Sequence, residues 1–445
     1  MSHNTNRRDF LKTSAMAGAG FWVAGTCAGQ ESKLANEKIN FAAIGVGGKG
    51  QSDSGDAGNA GNMVAICDID DKTLDKAAQK YPNAKKYNDY RKMLDEMGKS
   101  IDAVTVSTPD HTHAVASAMA MRMGKHCFTQ KPLTHTIYEA RKLGEIAREM
   151  KVATQMGNQG TAASGLRKSA AMIRKGCIGN VKEVHVWTNR PIWPQGGERA
   201  AETSPPEHIH WDLFLGPAPK RPYAPGYHPF AWRGWWDFGT GALGDMACHT
   251  VNMPFMALDL RNPTSVEAET SGHNKDSYPK WSIIRFEFPA TDTRPALTMF
   301  WYDGGKKVDR ELMPDEFLQK NKDDGSLKLS GSGCLLIGDK GKFFTPDDYG
   351  ARYLMHGNYS EPEVEITESP GHFAEFARAI RTNNAEPAMS NFPDYAGPLT
   401  ETILLGNLAV WAGKKIEWDA KNLKATNAPE VEPIIKSTYR EGYTL

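Results

Sequence analysis

One stretch constrains this chain more than any other. An apolar run from Ile39 to Val46 ends in Gly45-Val46-Gly47-Gly48-Lys49-Gly50. The spacing is G-x-G-x-x-G, placed directly after a predicted strand and before a segment of helical texture. Gly45 permits a tight turn, Gly47 lets backbone approach a pyrophosphate, and Gly50 lets the following helix pack closely on the strand. Further apolar runs follow at Met63–Ile69, Ile101–Thr108, Lys125–Thr129 and Val152–Met156. Helical spacing separates them at Thr73–Lys80, His113–Met123 and Ile137–Met150. Apolar strands alternating with amphipathic helices predict right-handed βαβ units and a parallel sheet.

Asp68 closes the second run, 23 residues beyond Gly45. That is the separation expected for the acid that accepts from the adenosine ribose hydroxyls. A carboxylate there repels a 2′-phosphate, so the expected cofactor is NAD rather than NADP. Gly45, Gly47, Gly48, Gly50 and Asp68 form the first part of the expected cofactor site.

Beyond Gly157 the texture changes. Ala162–Lys175 reads as a helix and Val181–Asn189 as an alternating strand. Longer strands are predicted at Ser265–Gly272, Trp281–Phe288 and Pro295–Tyr302, with late helices at His372–Arg381 and Pro398–Trp411. The expected fold is α/β: an N-terminal Rossmann domain, then a C-terminal α/β domain on an open, mostly antiparallel sheet. The expected division is 1–35 as signal and linker, 36–157 as the dinucleotide domain, and 158–445 as the substrate and oligomerisation domain.

The first 35 residues read as an export signal. Arg7-Arg8-Asp9-Phe10-Leu11-Lys12 is a twin-arginine core, followed by an apolar, small-residue stretch from Ala15 to Gly25. The stretch is too short for a permanent span. Export of the folded protein by the twin-arginine machinery to the periplasm is expected, with cleavage after Ala28. Gly25 and Thr26 fit poorly before a lipid-anchored Cys27. Five cysteines remain without C-x-x-C or regular spacing, and Cys67 and Cys127 read as small buried hydrophobes. Lys+Arg and Asp+Glu are both 53, and no basic run is present, so the electrostatic footprint of a nucleic-acid binder is missing.

Ser107-Thr108-Pro109-Asp110-His111-Thr112-His113 follows the third strand, and Gln130-Lys131-Pro132 the fourth. Both stand at C-terminal strand ends, where open α/β sheets bind ligands. Asp245 and His249, four apart in an apparent helix, share one face. With these residues the chain resembles the Gfo/Idh/MocA oxidoreductases, named for glucose–fructose oxidoreductase and inositol dehydrogenase. The resemblance covers nearly all of the chain after the signal. It implies that Thr108, Pro109, His113, Gln130 and Lys131 border the nicotinamide, and that Lys131, Asp245 and His249 are catalytic. The family's Glu-Lys-Pro reads Gln130-Lys131-Pro132 here, so Lys131 lacks the usual adjacent negative charge.

Those residue types suit oxidation of a secondary alcohol. Lys131 stabilises a developing alkoxide, a near-neutral His249 takes the hydroxyl proton, and Asp245 orients His249 or the substrate. His111 with His113, and His208 with His210, have spacing compatible with a strand-borne metal site, but no third ligand is set by spacing and no metal is expected. Six of the eleven Trp fall between Trp187 and Trp236. Arg190, Trp193, Trp232, Arg233 and Trp235 are the substrate candidates, since aromatic faces stack on sugar rings and planar charged groups bind hydroxyls.

The expected function is an NAD(P)-dependent oxidoreductase acting on a secondary hydroxyl of a sugar, glycoside or polyol. The periplasm offers no dependable NAD pool, so the cofactor is expected to be held tightly and recycled on the enzyme. The alternative is an NAD-dependent glycosidase working by oxidation, elimination, hydration and re-reduction. A second alternative is an inactive sugar-binding protein. The resemblance implies a homodimer or homotetramer.

Overall fold

The computed structural model describes residues 38–321 and 324–445. The expected export signal and Cys27 lie outside the described residues.

Strands β1 (Ile39–Ile44), β2 (Gly61–Cys67), β3 (Lys85–Tyr87), β4 (Ala103–Val106), β5 (His126–Thr129) and β6 (Thr154–Met156) form a six-stranded sheet in the order β3-β2-β1-β4-β5-β6. Every pairing is parallel. β4 is buried at all four positions, as expected of a strand covered by helices on both faces. The short β3 is exposed and only three residues long, too little apolar signal to stand out in the sequence.

The second sheet contains β7 (Val181–Trp187), β8 (Ser265–Thr270), β9 (Ser282–Phe288) and β10 (Leu297–Tyr302). A two-stranded hairpin of β11 (Gln319–Lys320) and β12 (Leu327–Lys328) stands apart. β13 (Gly333–Gly338), β14 (Gly341–Thr345), β15 (Leu354–Gly357), β16 (Ile416–Asp419) and β17 (Lys424–Ala425) complete the nine-stranded order β15-β14-β13-β7-β10-β9-β8-β16-β17. β7 and β10 pair in parallel while their neighbours are antiparallel. The open, mostly antiparallel sheet is therefore present, with one parallel seam.

The apolar core continues across the expected boundary at residue 157. One apolar cluster runs from Ala42 and Ile44 of the first sheet to Val184, Phe286 and Met299 of the second. The helix Gly397–Ala412, buried along most of its length, packs on the helix Ile137–Met150 and on β8 and β9. The helix His372–Arg381 crosses back to the first sheet, placing Phe376 and Ile380 against Ile39, Phe41 and Phe128. Both sheets thus share helices, and this shared packing holds the cleft between them. The five described cysteines are free and buried, as small apolar side chains would be.

Candidate active site

A cleft of about 490 Å³ opens along the C-terminal ends of β1, β2, β4 and β5. Its phosphate end is built from glycines for steric reasons. Gly45 has φ +82°, and a Cβ there would lie 2.5 Å from the Ser107 carbonyl oxygen. A Cβ on Gly50 would lie 2.1 Å from the Gly45 carbonyl oxygen. Gly47 and Gly48 line the cleft. The helix Lys49–Ala60 has Gly48 as its N-cap, with no side-chain cap; Gly50 and Gln51 N–H donate to the Gly47 and Gly48 carbonyls, and the positive end of the helix dipole faces the cleft where an anion would bind.

Asp68 sits at the end of β2, its Oδ2 accepting from Val46 N–H at 2.9 Å and its Oδ1 from Asp70 N–H at 3.0 Å. Burial raises its pKa, and these backbone donors oppose the rise. The carboxylate still lines the cleft, with lone pairs left for further donors. A glycine cradle that a Cβ would fill, an uncapped helix start and an acceptor at the ribose position together fit a dinucleotide.

The other end of the cleft gathers Thr108, Pro109, Gln130, Lys131, Arg233 and His249. Gln130 has two partners: its Nε2 donates to Oδ2 of buried Asp53 at 2.9 Å, and its Oε1 accepts from the Lys131 backbone N–H at 3.4 Å. Asp53 also accepts from Ser107 Oγ at 2.7 Å and pairs with Lys49. The carboxylate therefore ties the glycine-loop helix to the ends of β4 and β5. A glutamate at this position would place two carboxylates in that pocket, which is the physical reason for an amide here.

Lys131 finds its counter-charge across the cleft instead. Its Nζ donates to Asp245 Oδ1 at 2.9 Å and to the Asp245 carbonyl oxygen at 2.8 Å. Arg233 Nε lies 3.3 Å from the same carboxylate oxygen. Burial pushes the Asp245 carboxyl up, but Lys131 and Arg233 overcome it and hold the pKa at about 2.

His249 departs from one expectation: its imidazole is not near-neutral in pKa, because burial, reinforced by the Lys131 cation, lowers it to about 3. Of the two roles expected of Asp245, its hydrogen bonds to Lys131 and Arg233 favour orienting the substrate side over orienting His249. The buried Nδ1 has no partner among the described residues, and the ring meets Tyr349 edge-on at 5.2 Å between centroids. His249 is a neutral imidazole on the cleft wall, one turn from the ion pair.

His113, expected beside the cofactor, is a strut. Its ring nitrogens lie 2.8 Å from the Pro132 and Thr108 carbonyl oxygens. It is buried behind the two loops it joins and does not line the cleft. His111 likewise contacts the Phe214 and Phe238 carbonyls. His208 and His210 pair with Asp70 and Asp71. These contacts pin the aromatic segment to the end of β2. No group of three metal-binding side chains occurs among the described residues.

The aromatic segment divides. Trp232 and Arg233 line the cleft, the guanidinium 4.2 Å from the indole centroid. Trp193, Trp235 and Arg190 do not. Trp193 is buried with its Nε1 on Gln195. Trp235 packs edge-on against Tyr227 in a local aromatic core. Arg190 pairs with its neighbour Asn189 outside the cleft. Periodicity and composition do not distinguish an indole that packs from one that lines a pocket. His228, which stands within the aromatic segment, also lines the cleft, as do Phe230, Gln159 and Tyr443, which carried no motif that marked them.

Residues 39–158 match the model of an oxidoreductase family with an NAD-binding Rossmann fold, and residues 169–293 match that family's C-terminal alpha/beta domain. The chain belongs to the Gfo/Idh/MocA oxidoreductase family. Its N-terminal unit is thus an NAD-binding domain. Among the solved structures of similar fold is the WlbA dehydrogenase of Bordetella pertussis in complex with NADH and UDP-GlcNAcA. The TM-score is 0.60 at 17% identity, covering 86% of this chain and 99% of that one. An inositol dehydrogenase homolog of Azotobacter vinelandii, complexed with NADH and myo-inositol, aligns with a TM-score of 0.57 at 16% identity, covering 87% and 100%. These likenesses show the family's fold.

Curated relatives include an alpha-N-acetylgalactosaminidase of Shewanella oneidensis, 28% identical over 208 residues, which are 40% of this chain and 45% of that protein. A glycosyl hydrolase family 109 protein of Saccharopolyspora erythraea is 30% identical over 165 residues, 31% and 36% of the two chains. The chain spans less than half the length of these relatives.

Proposed function

We propose that this oxidoreductase oxidises a secondary hydroxyl of a sugar, glycoside or polyol, with NAD as the hydride acceptor. The observation that carries the reading is the pairing of Lys131 with Asp245 beside an unpartnered His249 on the wall of the NAD cleft. Bound NAD supplies the hydride-accepting carbon. Lys131 is held by Asp245 to donate a hydrogen bond to the substrate oxygen and stabilise its developing negative charge. His249 is neutral and can receive the hydroxyl proton, but its pKa of about 3 makes it a weak base, so the Lys131 cation must acidify the hydroxyl for the transfer to run. Arg233 and Trp232 present a planar cation and an apolar face to the same space, a combination suited to a polyhydroxylated ring.

A second reading is supported by the curated relatives, which are named as family 109 glycosyl hydrolases. Oxidation at C3 acidifies the C2 proton; loss of that proton and of the aglycone, addition of water across the double bond, and return of the hydride give a hydrolysed sugar with no net redox change. In that cycle His249 serves the same cleft as a proton acceptor. Both readings fit export of a folded protein with NAD already bound, directed by Arg7 and Arg8.

One experiment separates the readings. Purified protein is dialysed, assayed for retained NAD and exposed to a panel of sugars and aryl glycosides in deuterated water. A dehydrogenase accumulates reduced nicotinamide, seen by its near-ultraviolet absorbance, and a ketone. The glycosidase releases aglycone, returns the cofactor to its oxidised state and leaves deuterium at C2. Binding of sugars with neither signal overturns both and leaves a sugar-binding protein.

A further inference from the structure

The glycine loop and Asp68 locate the phosphates and ribose, and the adenine must continue away from the loop beyond Asp68. The cleft at that end is lined by Asn88, Asp89 and Tyr90, and by one residue from far along the chain, Tyr443. We propose that the segment 439–445 is part of the cofactor site: Tyr443 contacts the adenosine end, and the segment straps it so that the dinucleotide leaves only when the strap lifts. This rests on the dinucleotide reading of the cleft.

Tyr443 is held as a ligand-facing ring would need to be. It is only 8% exposed. The Arg91 guanidinium lies 4.5 Å from its ring centroid, and Arg440 lies 5.8 Å from it. Arg91 is itself fixed by Asp89 through a pair of hydrogen bonds at 3.0 and 2.8 Å. Asp89 and Tyr90 border the cleft directly, so ring, cation and cleft wall form one stack.

The segment is anchored before Tyr443 reaches the cleft. Tyr439 donates its hydroxyl to Glu139 Oε1 at 2.7 Å. Arg440 donates through Nε to the Gly216 carbonyl at 2.8 Å and through Nη2 to the Asp212 carbonyl at 2.9 Å, and pairs with the Asp212 carboxylate at 2.7 Å. Between these anchors Leu213 and Phe214 line the same cleft. Arg440 therefore clamps the segment beside the part of the lining made by Leu213 and Phe214, and Tyr443 joins Tyr90 in the lining where a base would seat. The Asp212 carboxylate is mostly exposed while the Arg440 side chain is mostly buried, so the two carbonyl contacts hold the segment and the exposed carboxylate adds little.

The test uses the whole protein loaded with NAD. Release of NAD is followed after trapping by excess of an unrelated NAD-consuming enzyme, for wild type, Arg440→Ala and Tyr443→Ala. Thermal unfolding without NAD checks that each variant folds. The expected result is release at least tenfold faster in both variants. Hydrogen exchange on wild type gives a second readout: amides of 439–445 gain protection when NAD binds. Unchanged release in a folded variant, or unchanged protection across the segment in loaded protein, overturns the strap. Failure of wild type to bind NAD at all overturns the dinucleotide reading instead. If Tyr443→Ala does not fold, Arg440→Ala and the exchange data decide.

Discussion

Gln130→Glu isolates the departure from the family's Glu-Lys-Pro. The substitution puts a carboxylate where an amide nitrogen now donates to Asp53 at 2.9 Å. Two unit charges at that separation repel by about 6 kcal/mol at an effective dielectric constant of about 20, and the Lys49 partner of Asp53 trims this. The new carboxyl escapes by staying protonated. At pH 7 that costs about 1.36 kcal/mol for each unit above an ordinary pKa of about 4.3, or about 3.7 kcal/mol, which is the ceiling. The introduced carboxyl would have a folded-state pKa above its unfolded value. The folded form then binds the extra proton, so the penalty is absent below about pH 4 and grows as pH rises towards the folded pKa. Urea unfolding of wild type and variant, run in parallel, should differ by about 1 kcal/mol at pH 5 and by up to about 3.7 kcal/mol at pH 7. Asp53→Asn in the Gln130→Glu background should recover most of the loss. A difference that does not change with pH, or no recovery from the second substitution, refutes the Asp53 pairing as the reason for an amide at this position.

Lys131→Ala and His249→Ala should each lower kcat on the order of 10²–10⁴-fold while NAD remains bound; full activity in either removes that residue from the chemistry. Gly50→Ala should abolish NAD retention, because its Cβ would sit 2.1 Å from a backbone carbonyl; calorimetry with NAD reads this directly, and wild-type affinity contradicts the close-approach argument. Burial lowers His249 and His111 to about 3, and His126 and His372 to about 4. Each binds a proton more readily unfolded than folded, so each contributes stability that is complete above about pH 6.5 and is lost as pH falls towards 3–4, up to about 2 kcal/mol per residue by pH 5. His126 Nδ1 accepts the Ala153 N–H at 2.9 Å, which requires the neutral ring. Chemical denaturation at pH 7.5 and 5 should therefore show a steeper loss in wild type than in His126→Asn, and equal slopes would contradict the buried-neutral assignment. The same lowered pKa predicts no inflection near pH 6.5 in kcat/KM from His249; an acid limb there that disappears in His249→Gln would contradict it.

Most of the first sheet was legible because its signals are local. A strand buried on both faces must be apolar along its length, and an amphipathic helix repeats every three to four residues; Ile137–Met150 and His372–Arg381 coincide with their predicted bounds. β3 was not legible, being three exposed or half-exposed residues held by pairing with β2. The aromatic segment was read as one surface because composition carries no direction. Burial then separated Trp232 and Arg233, on the cleft, from Trp193 and Trp235, in local packing.

The amino-acid sequence by itself determined the NAD cradle. Gly45, Gly47, Gly50 and Asp68 act through turn sterics and strand position, both of which are short-range and survive in a linear string. Only the tertiary structure decided the rest of the site. Asp245 is four residues from His249 yet pairs with Lys131, 114 residues away, because an opposite charge brought across a buried cleft outweighs a helical neighbour. Gln130 answers Asp53, 77 residues away. His113 props two loops, and Tyr443 reaches the cleft from a distant part of the chain. Charge pairing and burial depend on what surrounds a side chain in space, and no spacing rule along the chain encodes that.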